Sequence, residues 1–311
     1  MIRTVFFGTP EFAVPTLEAL VEDSRFEVVH VISQPDRPAG RKMRLTPSIV
    51  KARALELGLP VTTPEKCNTP EFLEFFKTLN ADLAVVVAFG QILPQKLLDV
   101  LDQKFVNLHG SLLPRWRGAA PIQRSIMAGD LKTGVSLQVM VKKLDAGDVI
   151  SEVATLIEPN ENAISLHDRL SLLGARLAQD TLPQYCAGEI APTAQDESLV
   201  TYAHKIEKSE SEMDWNLPAK QIHQNLRGLA LGPGAFCMFK GKKLKIHKAL
   251  VISGNSDQKL GCISMVEAQS FSVQTGEGQL QVLEVQPESR SKMDVKAFML
   301  GNPLELGLAL A

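Results

Sequence analysis

The sequence predicts an α/β protein with two domains, a Rossmann-like doubly wound parallel sheet followed by a smaller β-barrel. Short apolar runs alternate with helical segments through the first half, which is the pattern of successive βαβ units. The run at 82–90 is almost continuously apolar, as in a strand buried on both faces of a parallel sheet. Beyond residue 200, short alternating strands and glycine-containing turns predict a compact barrel of roughly 100 residues.

Length and composition narrow the class of protein. A chain of 311 residues is long enough for two domains of about 100–200 residues each. We place them at 1–188 and 206–311, with a polar linker at 189–205. The 45% hydrophobic and 22% charged content is typical of globular proteins, and no apolar stretch approaches the roughly 20 residues of a membrane span. Residues 1–8 predict a first strand and not a signal peptide.

The cysteines predict neither a zinc site nor a disulfide framework. Cys67, Cys186, Cys237 and Cys262 are scattered along the chain and form no C-x-x-C pair. Unpaired thiols fit a reducing compartment. We therefore expect a cytoplasmic protein that needs no metal.

The first predicted unit is a strand at 2–7, a turn, a helix at 11–21 and a strand at 28–32. Thr9 followed by Pro10 predicts the start of the helix, with threonine as the N-cap and proline in the first turn. The turn contains a single glycine and lacks the G-x-G-x-x-G pattern of dinucleotide-binding folds. The sequence therefore disfavours a nicotinamide-dependent dehydrogenase.

A proline-rich basic segment at 33–47 follows the second strand. It contains three prolines, one glycine and four basic residues, and it is longer than the usual 2–6 residues of an α/β connection. We therefore predict an exposed, functional loop. A second basic stretch at 240–248 contains five lysines and His247 with no acid. Although the net charge is only −2, two basic clusters in different halves of the chain favour a phosphate-rich partner.

The remaining elements are predicted from periodicity and from their turn and cap residues. Thr69 before Pro70 predicts an N-cap for one of the helices. We predict helices at 48–57, 69–79, 120–128, 164–182 and 219–229. We predict strands at 59–61, 82–90, 105–109, 135–141, 201–203, 236–239, 244–247 and 280–286. A further strand begins at 149, and two more lie within 261–278.

Asn107 and His109 end one of the predicted central strands. Residues two apart on a strand point to the same face, so both side chains can reach one cavity at the edge where ligands bind in open α/β folds. Histidine can transfer a proton near neutral pH, and an asparagine amide can donate to an oxyanion. The same pair could instead satisfy backbone groups at a strand end. Asp145 could orient His109 or simply stabilise its own turn, and spacing alone leaves both open.

Six motifs carry a resemblance to a known family. They are FGTPEFA at 7–13, QPDRPAGR at 34–41, NLHGSLLPRWRG at 107–118, LDAGD at 144–148, TYAHKI at 201–206 and GPGAF at 232–236. On these motifs the chain resembles the methionyl-tRNA formyltransferases, within the wider family of enzymes that use 10-formyltetrahydrofolate. It departs from them after 227–229, where Ala230-Leu231-Gly232 replaces the usual Pro-Trp.

The resemblance implies roles for individual residues. It makes Asn107, His109 and Asp145 catalytic, and it makes the segment at 34–47 an insertion that enters the acceptor end of tRNA, with Arg41 as its key residue. It implies that the second domain is an OB-like barrel that binds tRNA. The implied formyl-folate-binding residues are Phe89, Gly90, Ile92, Leu93, Ser111, Leu112, Leu113 and Pro114. The basic residues implied to contact tRNA are Arg37, Arg41, Lys42, Arg44, Lys240, Lys242, Lys243 and Lys245.

The expected reaction follows from the same resemblance. A monomeric enzyme would transfer the formyl group of 10-formyltetrahydrofolate to the α-amino group of methionine on initiator methionyl-tRNA. One alternative is a formyl-folate enzyme that acts on a small amine or on water, which would need neither the basic segment nor the barrel. The other is a nucleic-acid-binding module in which Asn107 and His109 are structural.

Overall fold

A computed structural model describes residues 1–39 and 43–310, which fall into two compact units. The first unit contains residues 1–121, 132–156 and 167–203. The second contains 122–131, 157–166 and the described residues from His204 onward, so it is not one continuous piece of chain. No helix in the described part of the chain is long and apolar enough to cross a membrane.

The first unit is built on a seven-stranded sheet in the order β10-β9-β7-β6-β1-β2-β5. Strands β3 with β4 and β8 with β11 form two further two-stranded sheets. The strands are β1 (Ile2–Gly8), β2 (Phe26–Ile32), β3 (Arg37–Ala39), β4 (Arg44–Thr46), β5 (Val61–Thr62), β6 (Leu83–Val87), β7 (Phe105–His109), β8 (Arg117–Gly118), β9 (Lys132–Val139), β10 (Val149–Leu156) and β11 (Tyr202–Ala203). The helices of the chain are α1 (Val14–Glu22), α2 (Ile49–Glu56), α3 (Pro70–Thr78), α4 (Gln95–Leu98), α5 (Pro121–Met127), α6 (Ala163–Cys186), α7 (Ala219–Gly228) and α8 (Val295–Gly301).

The predicted parallel sheet is confirmed for five strands. Strands β5, β2, β1, β6 and β7 pair in parallel, and every residue of β6 is buried, as its continuous apolar pattern predicts. Strand β9 pairs antiparallel with β7, and β10 antiparallel with β9. The sheet is therefore mixed, because β9 runs antiparallel to β7 and the connection at 140–148 reverses the chain again before β10.

Two predicted helix starts have different outcomes. The Thr69 N-cap is confirmed, since its hydroxyl accepts a hydrogen bond from the Phe72 amide at 3.2 Å. The Thr9 N-cap is wrong, because the Thr9 hydroxyl donates to the carbonyl of Phe89 at 2.8 Å. The chain instead enters a short 3-10 turn at Glu11–Ala13, and α1 begins at Val14. Thr9 thus joins two neighbouring strand ends, a contact that local spacing does not reveal.

The prediction of an irregular loop at 33–47 is also wrong in part. Strands β3 and β4 pair antiparallel, with Arg37 opposite Thr46. An exposed hairpin of this kind lacks the apolar alternation from which strands are predicted, since neither face is buried. Gly40, Arg41 and Lys42 lie outside the described residues. The structure therefore does not test the roles predicted for Arg41 and Lys42.

The second unit contains an antiparallel sheet in the order β12-β13-β16-β15-β14, with β17 beside β16. Its core contains Phe271, Phe298 and the inward residues of the strands, which confirms the predicted small β domain. Tyr202–Ala203, predicted alongside these strands, instead pairs in parallel with Arg117–Gly118 in the first unit. The strands are β12 (Ala235–Phe239), β13 (Lys242–Ile252), β14 (Ile263–Val266), β15 (Phe271–Gln274), β16 (Gln279–Pro287) and β17 (Met293–Asp294).

His223 on α7 makes the stability of the second unit depend on pH. Burial, together with the nearby Arg227 guanidinium, lowers the pKa of His223 from about 6.5 to about 4. Between these values the unfolded chain takes up a proton and the folded chain does not. The free energy of unfolding is therefore highest above pH 6.5 and falls as the pH decreases towards 4, by about 2–3 kcal/mol.

Urea unfolding at pH 7.5 and pH 4.5 measures this loss. His223→Gln, which cannot titrate, should reduce this loss by about 2–3 kcal/mol and leave the contribution of His30, whose pKa burial also lowers. The matched control His247→Gln lies on an exposed position of β13 and should retain the wild-type dependence. A His223→Gln variant that loses as much stability as the wild type between the two pH values contradicts the prediction.

Candidate active site

The ends of β6 and β7 lie side by side and create the site. The two strands pair in parallel, with Val87 opposite Leu108, so the turns that follow them meet at one edge of the sheet, as predicted. Asn107 is half-buried and His109 is buried. Across β7, Gln138 of β9 stands directly opposite Asn107. The strand pairing therefore places three polar side chains beside one another at this edge.

His109 is held by hydrogen bonding on one side of its ring and faces a carboxylate on the other. Its Nε2 lies 2.8 Å from the Trp116 carbonyl. Because a carbonyl only accepts, we assign the ring proton to Nε2. Nδ1 then faces the Asp145 carboxylate, with 3.7 Å between Nδ1 and Oδ2. The structure thus brings together two residues that spacing could not connect.

Asp145 is fixed by hydrogen bonds to both carboxylate oxygens. Oδ2 accepts from the Gly118 amide at 2.9 Å, and Oδ1 accepts from the Gln138 side-chain amide at 3.1 Å. Its backbone is left-handed, with φ of 46°, which is unusual for a residue with a side chain. Two residues later a Cβ on Gly147 would lie 1.7 Å from the Val139 carbonyl oxygen, so only glycine fits this turn.

Asn107 is the polar group of the site that is free to bind a ligand. Within residues 1–39 and 43–310, its side-chain amide has no hydrogen-bond partner. It borders a small cavity of about 20 Å³ that is also lined by Gln138, Asp145 and Gly147. A cavity of this size admits a small polar group or a single water. A larger cavity of about 540 Å³ lies in the second unit, beside Gln221, and includes none of the residues predicted to bind folate.

The predicted folate-binding residues divide into a buried and an accessible set. Phe89, Leu93 and Leu113 are 2%, 4% and 6% exposed, so their side chains belong to the core. Ser111 is buried as well, and its hydroxyl donates to the Arg115 carbonyl at 2.6 Å. These four residues support the turns without presenting their side chains to solvent.

The accessible set lies on the two turns. Ile92 is 87% exposed, which is unusual for an isoleucine beside a polar site. Leu112 and Pro114 are half-buried. Gly90 adopts φ of 88°, a conformation that favours glycine and brings the backbone to the surface. The turns after β6 and β7 therefore offer apolar surface and backbone groups beside Asn107 and His109.

The basic residues of the hairpin are partly neutralised. Arg37 is paired with Glu65 at 3.1 Å, and Lys51 of α2 is paired with Asp36, just before β3, at 2.8 Å. Arg44 is exposed and has no ion-pair partner in the part of the chain that the structure describes.

The basic residues of the second unit form an exposed strand face. Lys243 and Lys245 lie on one face of β13, and the intervening Leu244 is buried. The Lys243 ammonium lies 4.1 Å from the centre of the Phe236 ring, and Lys240 lies 5.1 Å from that of Phe239. Lys242, the first residue of β13 after the turn that joins it to β12, is exposed as well. Phe239 belongs to the core, whereas Phe236 is partly exposed. Lysines beside an accessible aromatic ring are typical of surfaces that bind nucleic acid.

Three residues of the site were missed by sequence reasoning. Gln138 could have been found, since it interrupts the apolar residues of a buried strand. Arg117 lies inside the NLHGSLLPRWRG motif, yet nothing in the pattern shows that its side chain is completely buried. Gln195 lies in the polar segment at 189–205 and carries no local signal. Among the described residues, no group of three His, Cys, Asp or Glu side chains could hold a metal ion.

Comparison with known proteins assigns the chain to a family. The family model described as "Formyl transferase" matches residues 2–182, which is more than half of the chain. The chain belongs to the formyl transferase family. The model described as "Formyl transferase, C-terminal domain" matches residues 205–303. The chain is therefore a formyl-transferring enzyme and not a binding module alone.

Two curated relatives match over the full length. The "Methionyl-tRNA formyltransferase" of Bdellovibrio bacteriovorus is 54% identical over 98% of each chain. The protein of the same name from Bacillus subtilis is 44% identical, over 99% of this chain and 97% of its own.

Two solved structures share the fold at much lower identity. The sugar 3N-formyl transferase WlaRD, crystallised with dTDP and 5-N-formyl-THF, has a TM-score of 0.66 and 16% identity, covering 94% of this chain and 99% of its own. HypX from Aquifex aeolicus, in complex with tetrahydrofolic acid, has a TM-score of 0.63 and 17% identity, covering 97% of this chain and 48% of its own. At these identities the likeness supports the fold alone.

Proposed function

We propose that the chain transfers the formyl group of 10-formyltetrahydrofolate to the α-amino group of methionine on initiator methionyl-tRNA. The observation that carries this proposal is the 54% identity, over 98% of each chain, to a relative named methionyl-tRNA formyltransferase. The arrangement of Asn107, His109 and Asp145 at one strand end supports it, because formyl transfer needs an oxyanion donor and a proton acceptor there.

Asn107 stabilises the charge that develops on the formyl oxygen. A model α-amino group has a pKa of about 7.7–8.0, and the adjacent ester lowers it, so the amine is partly neutral at pH 7 and attacks without a covalent enzyme nucleophile. As it attacks, negative charge grows on the formyl oxygen. The Asn107 amide, which has no partner among the described residues, can donate to that oxygen.

His109 and Asp145 remove the proton of the attacking amine. Because Nε2 of His109 donates to the Trp116 carbonyl, proton transfer must use Nδ1, which faces Asp145. The 3.7 Å separation of Nδ1 and Oδ2 is about 1 Å longer than a hydrogen bond, and contacts of this kind often shorten when substrate binds. The carboxylate then stabilises the imidazolium that forms. The imidazolium would return this proton to N10 of the folate as the bond between N10 and the formyl carbon breaks, and tetrahydrofolate leaves.

The turns after β6 and β7 hold the folate. 10-Formyltetrahydrofolate supplies the formyl group in activated form, and its flat ring needs apolar surface and backbone hydrogen bonds. The exposed side chain of Ile92, the half-buried Leu112 and Pro114, and the backbone at Gly90 fit this need. Phe89, Leu93, Ser111 and Leu113 shape the two turns from beneath.

The basic surfaces bind the tRNA backbone. We assign phosphate contacts to Arg37 and Arg44 of the hairpin, to Arg41 and Lys42 of the basic segment in the sequence, and to Lys240, Lys242, Lys243 and Lys245 on the second unit. Contacts of this kind are independent of sequence and weaken steeply with salt. The enzyme acts as a monomer in the cytoplasm, where translation begins, and its four unpaired cysteines suit a reducing compartment.

A formyl-folate enzyme for a small amine or for water would use the same three side chains. The lysine and aromatic face of the second unit favours the tRNA substrate, since a small substrate leaves it without a role. The test is a formylation assay with 10-formyltetrahydrofolate and charged initiator tRNA, beside charged elongator tRNA and free methionine. We expect formylmethionyl-tRNA from the initiator alone. Release of formate without transfer, or preferential formylation of free methionine, contradicts the proposal.

A further inference from the structure

Gln195 joins the backbone of the Asp145 turn to a buried arginine. Its side-chain Nε2 donates to the carbonyl of Asp145 at 2.9 Å and to that of Gly147 at 2.7 Å. Its Oε1 accepts from Arg117 Nε at 3.0 Å and from Nη2 at 2.8 Å. The two carbonyls require donors and the guanidinium requires an acceptor, so this amide has one possible orientation.

Arg117 is buried at some cost to stability. It is 0% exposed, and its Nη1 has no hydrogen-bond partner in the described residues. A buried donor without a partner is unfavourable. Glu197 accepts from Nη2 at 2.8 Å and also pairs with Lys143 at 2.7 Å, just before the Asp145 turn. Arg117 therefore orients Gln195. Arg117 is itself held by the Glu197 carboxylate, which also binds Lys143 next to the Asp145 turn.

The segment at 116–118, whose last two residues form β8, contacts the reacting side chains. The Trp116 carbonyl accepts from His109, and the Gly118 amide donates to the Asp145 carboxylate. Between them, Arg117 donates to Gln195. The backbone of this strand is held in turn by the pairing of Tyr202–Ala203 with Arg117–Gly118. Three consecutive residues thus reach His109, Gln195 and Asp145.

Asp145 needs such support because of its backbone. With φ of 46° it lies in the left-handed region, which costs free energy and persists only where the surroundings impose it. Gln138 and Gly118 bind its carboxylate, but among the described residues Gln195 is the side chain that binds its carbonyl. The amide therefore fixes the peptide from which the carboxylate projects towards His109.

We propose that Gln195, oriented by Arg117, is a positioning residue for formyl transfer, which it serves by holding the Asp145 carboxylate against His109. This inference rests on the function proposed above. It assigns a role in the site to the segment at 189–205, which the sequence presents only as a linker.

The test compares two variants of Gln195 with a neighbour. Gln195→Ala removes both sets of contacts. Gln195→Glu retains the acceptor for Arg117 but places a carboxylate against two carbonyls. We expect both to lower kcat about 10- to 100-fold, the size of effect that a misplaced catalytic group produces, with KM for folate and tRNA within about twofold. The control Asp196→Ala removes a side chain that, among the described residues, bonds only to Ser198, and this variant should keep wild-type kcat.

A second measurement does not depend on activity. In ¹⁵N-histidine NMR spectra, the His109 Nδ1 resonance of Gln195→Ala should move towards its position in Asp145→Asn. Wild-type kcat and an unmoved His109 resonance in Gln195→Ala overturn the inference. If Gln195→Ala fails to fold, the same two readouts of Gln195→Glu decide. A wild-type enzyme that does not formylate methionyl-tRNA defeats the proposed function, whereas the NMR comparison still tests the positioning of Asp145.

Discussion

Asn107→Ala is expected to lower kcat for formyl transfer about 100- to 1,000-fold, which is the loss seen when one oxyanion donor is removed from an enzyme. Stability should change little, because the Asn107 amide makes no hydrogen bond within the described residues and its side chain is half-buried. KM for both substrates should also change little, since the lost interaction forms only as charge develops. Initial-rate kinetics with initiator methionyl-tRNA and a thermal melt measure both expectations.

Asn107→Asp provides the matched comparison for this prediction. It preserves the shape of the side chain but replaces the N–H donor with a negative charge that faces the developing oxyanion. Its kcat should therefore fall at least as far as that of Asn107→Ala. If either variant retains kcat within about threefold of the wild type, Asn107 is not the oxyanion donor and the proposed mechanism is wrong. His109→Ala with unchanged kcat would likewise remove the assigned proton acceptor.

The double variant Lys243→Ala/Lys245→Ala is expected to weaken tRNA binding with little effect on chemistry. Both side chains are exposed on one face of β13, where they can neutralise phosphates. Each lost phosphate contact should reduce the slope of log K against log salt by about 1. We expect KM for tRNA to rise about tenfold or more at low salt, with kcat at saturating tRNA within about twofold.

Lys292→Ala is the control for charge, because Lys292 directly precedes β17 of the same sheet. Lys292 is paired with Glu284 at 2.7 Å, so its charge is already balanced and its removal should leave the salt slope nearly unchanged. Fluorescence titrations of tRNA binding at several salt concentrations provide the measurement. An unchanged slope and an unchanged tRNA KM in the double variant would show that this face does not bind tRNA. They would strengthen the case for a small substrate.

The exposed hairpin and the first helix show where local patterns mislead. The pairing of β3 with β4 leaves Leu45 73% exposed, so no inward-facing set of residues marks the strands. Thr9 has the sequence of an N-cap, yet its hydroxyl finds the Phe89 carbonyl 80 positions away. The hairpin is missed because its strands are exposed and carry no apolar alternation, although their partners lie within ten residues. The helix start is missed because the partner of Thr9 lies outside any short window of sequence.

The sequence by itself determined most of the succession of strands and helices in the first unit, without the β3–β4 hairpin or β8. It also determined the parallel core and the placement of Asn107 and His109 on one strand. These features follow from backbone stereochemistry and from the two-residue and 3.6-residue periods of burial, which act over a few neighbouring residues. Because neighbouring parallel strands end at the same edge of a sheet, the sequence also predicted that the turns after β6 and β7 would meet. The motifs then indicated the family, which the comparisons confirmed.

Only the tertiary structure decided how the site is held together. Asp145 meets His109, Gln138 and Gly118 through strand pairing and a turn that only a glycine at 147 permits. Arg117 reaches Gln195 across 78 positions of chain, and Gln195 reaches Asp145 across 50. Such contacts arise because burial of the whole core brings distant segments together. The local sequence around a polar residue in a linker therefore does not indicate which residue it will contact.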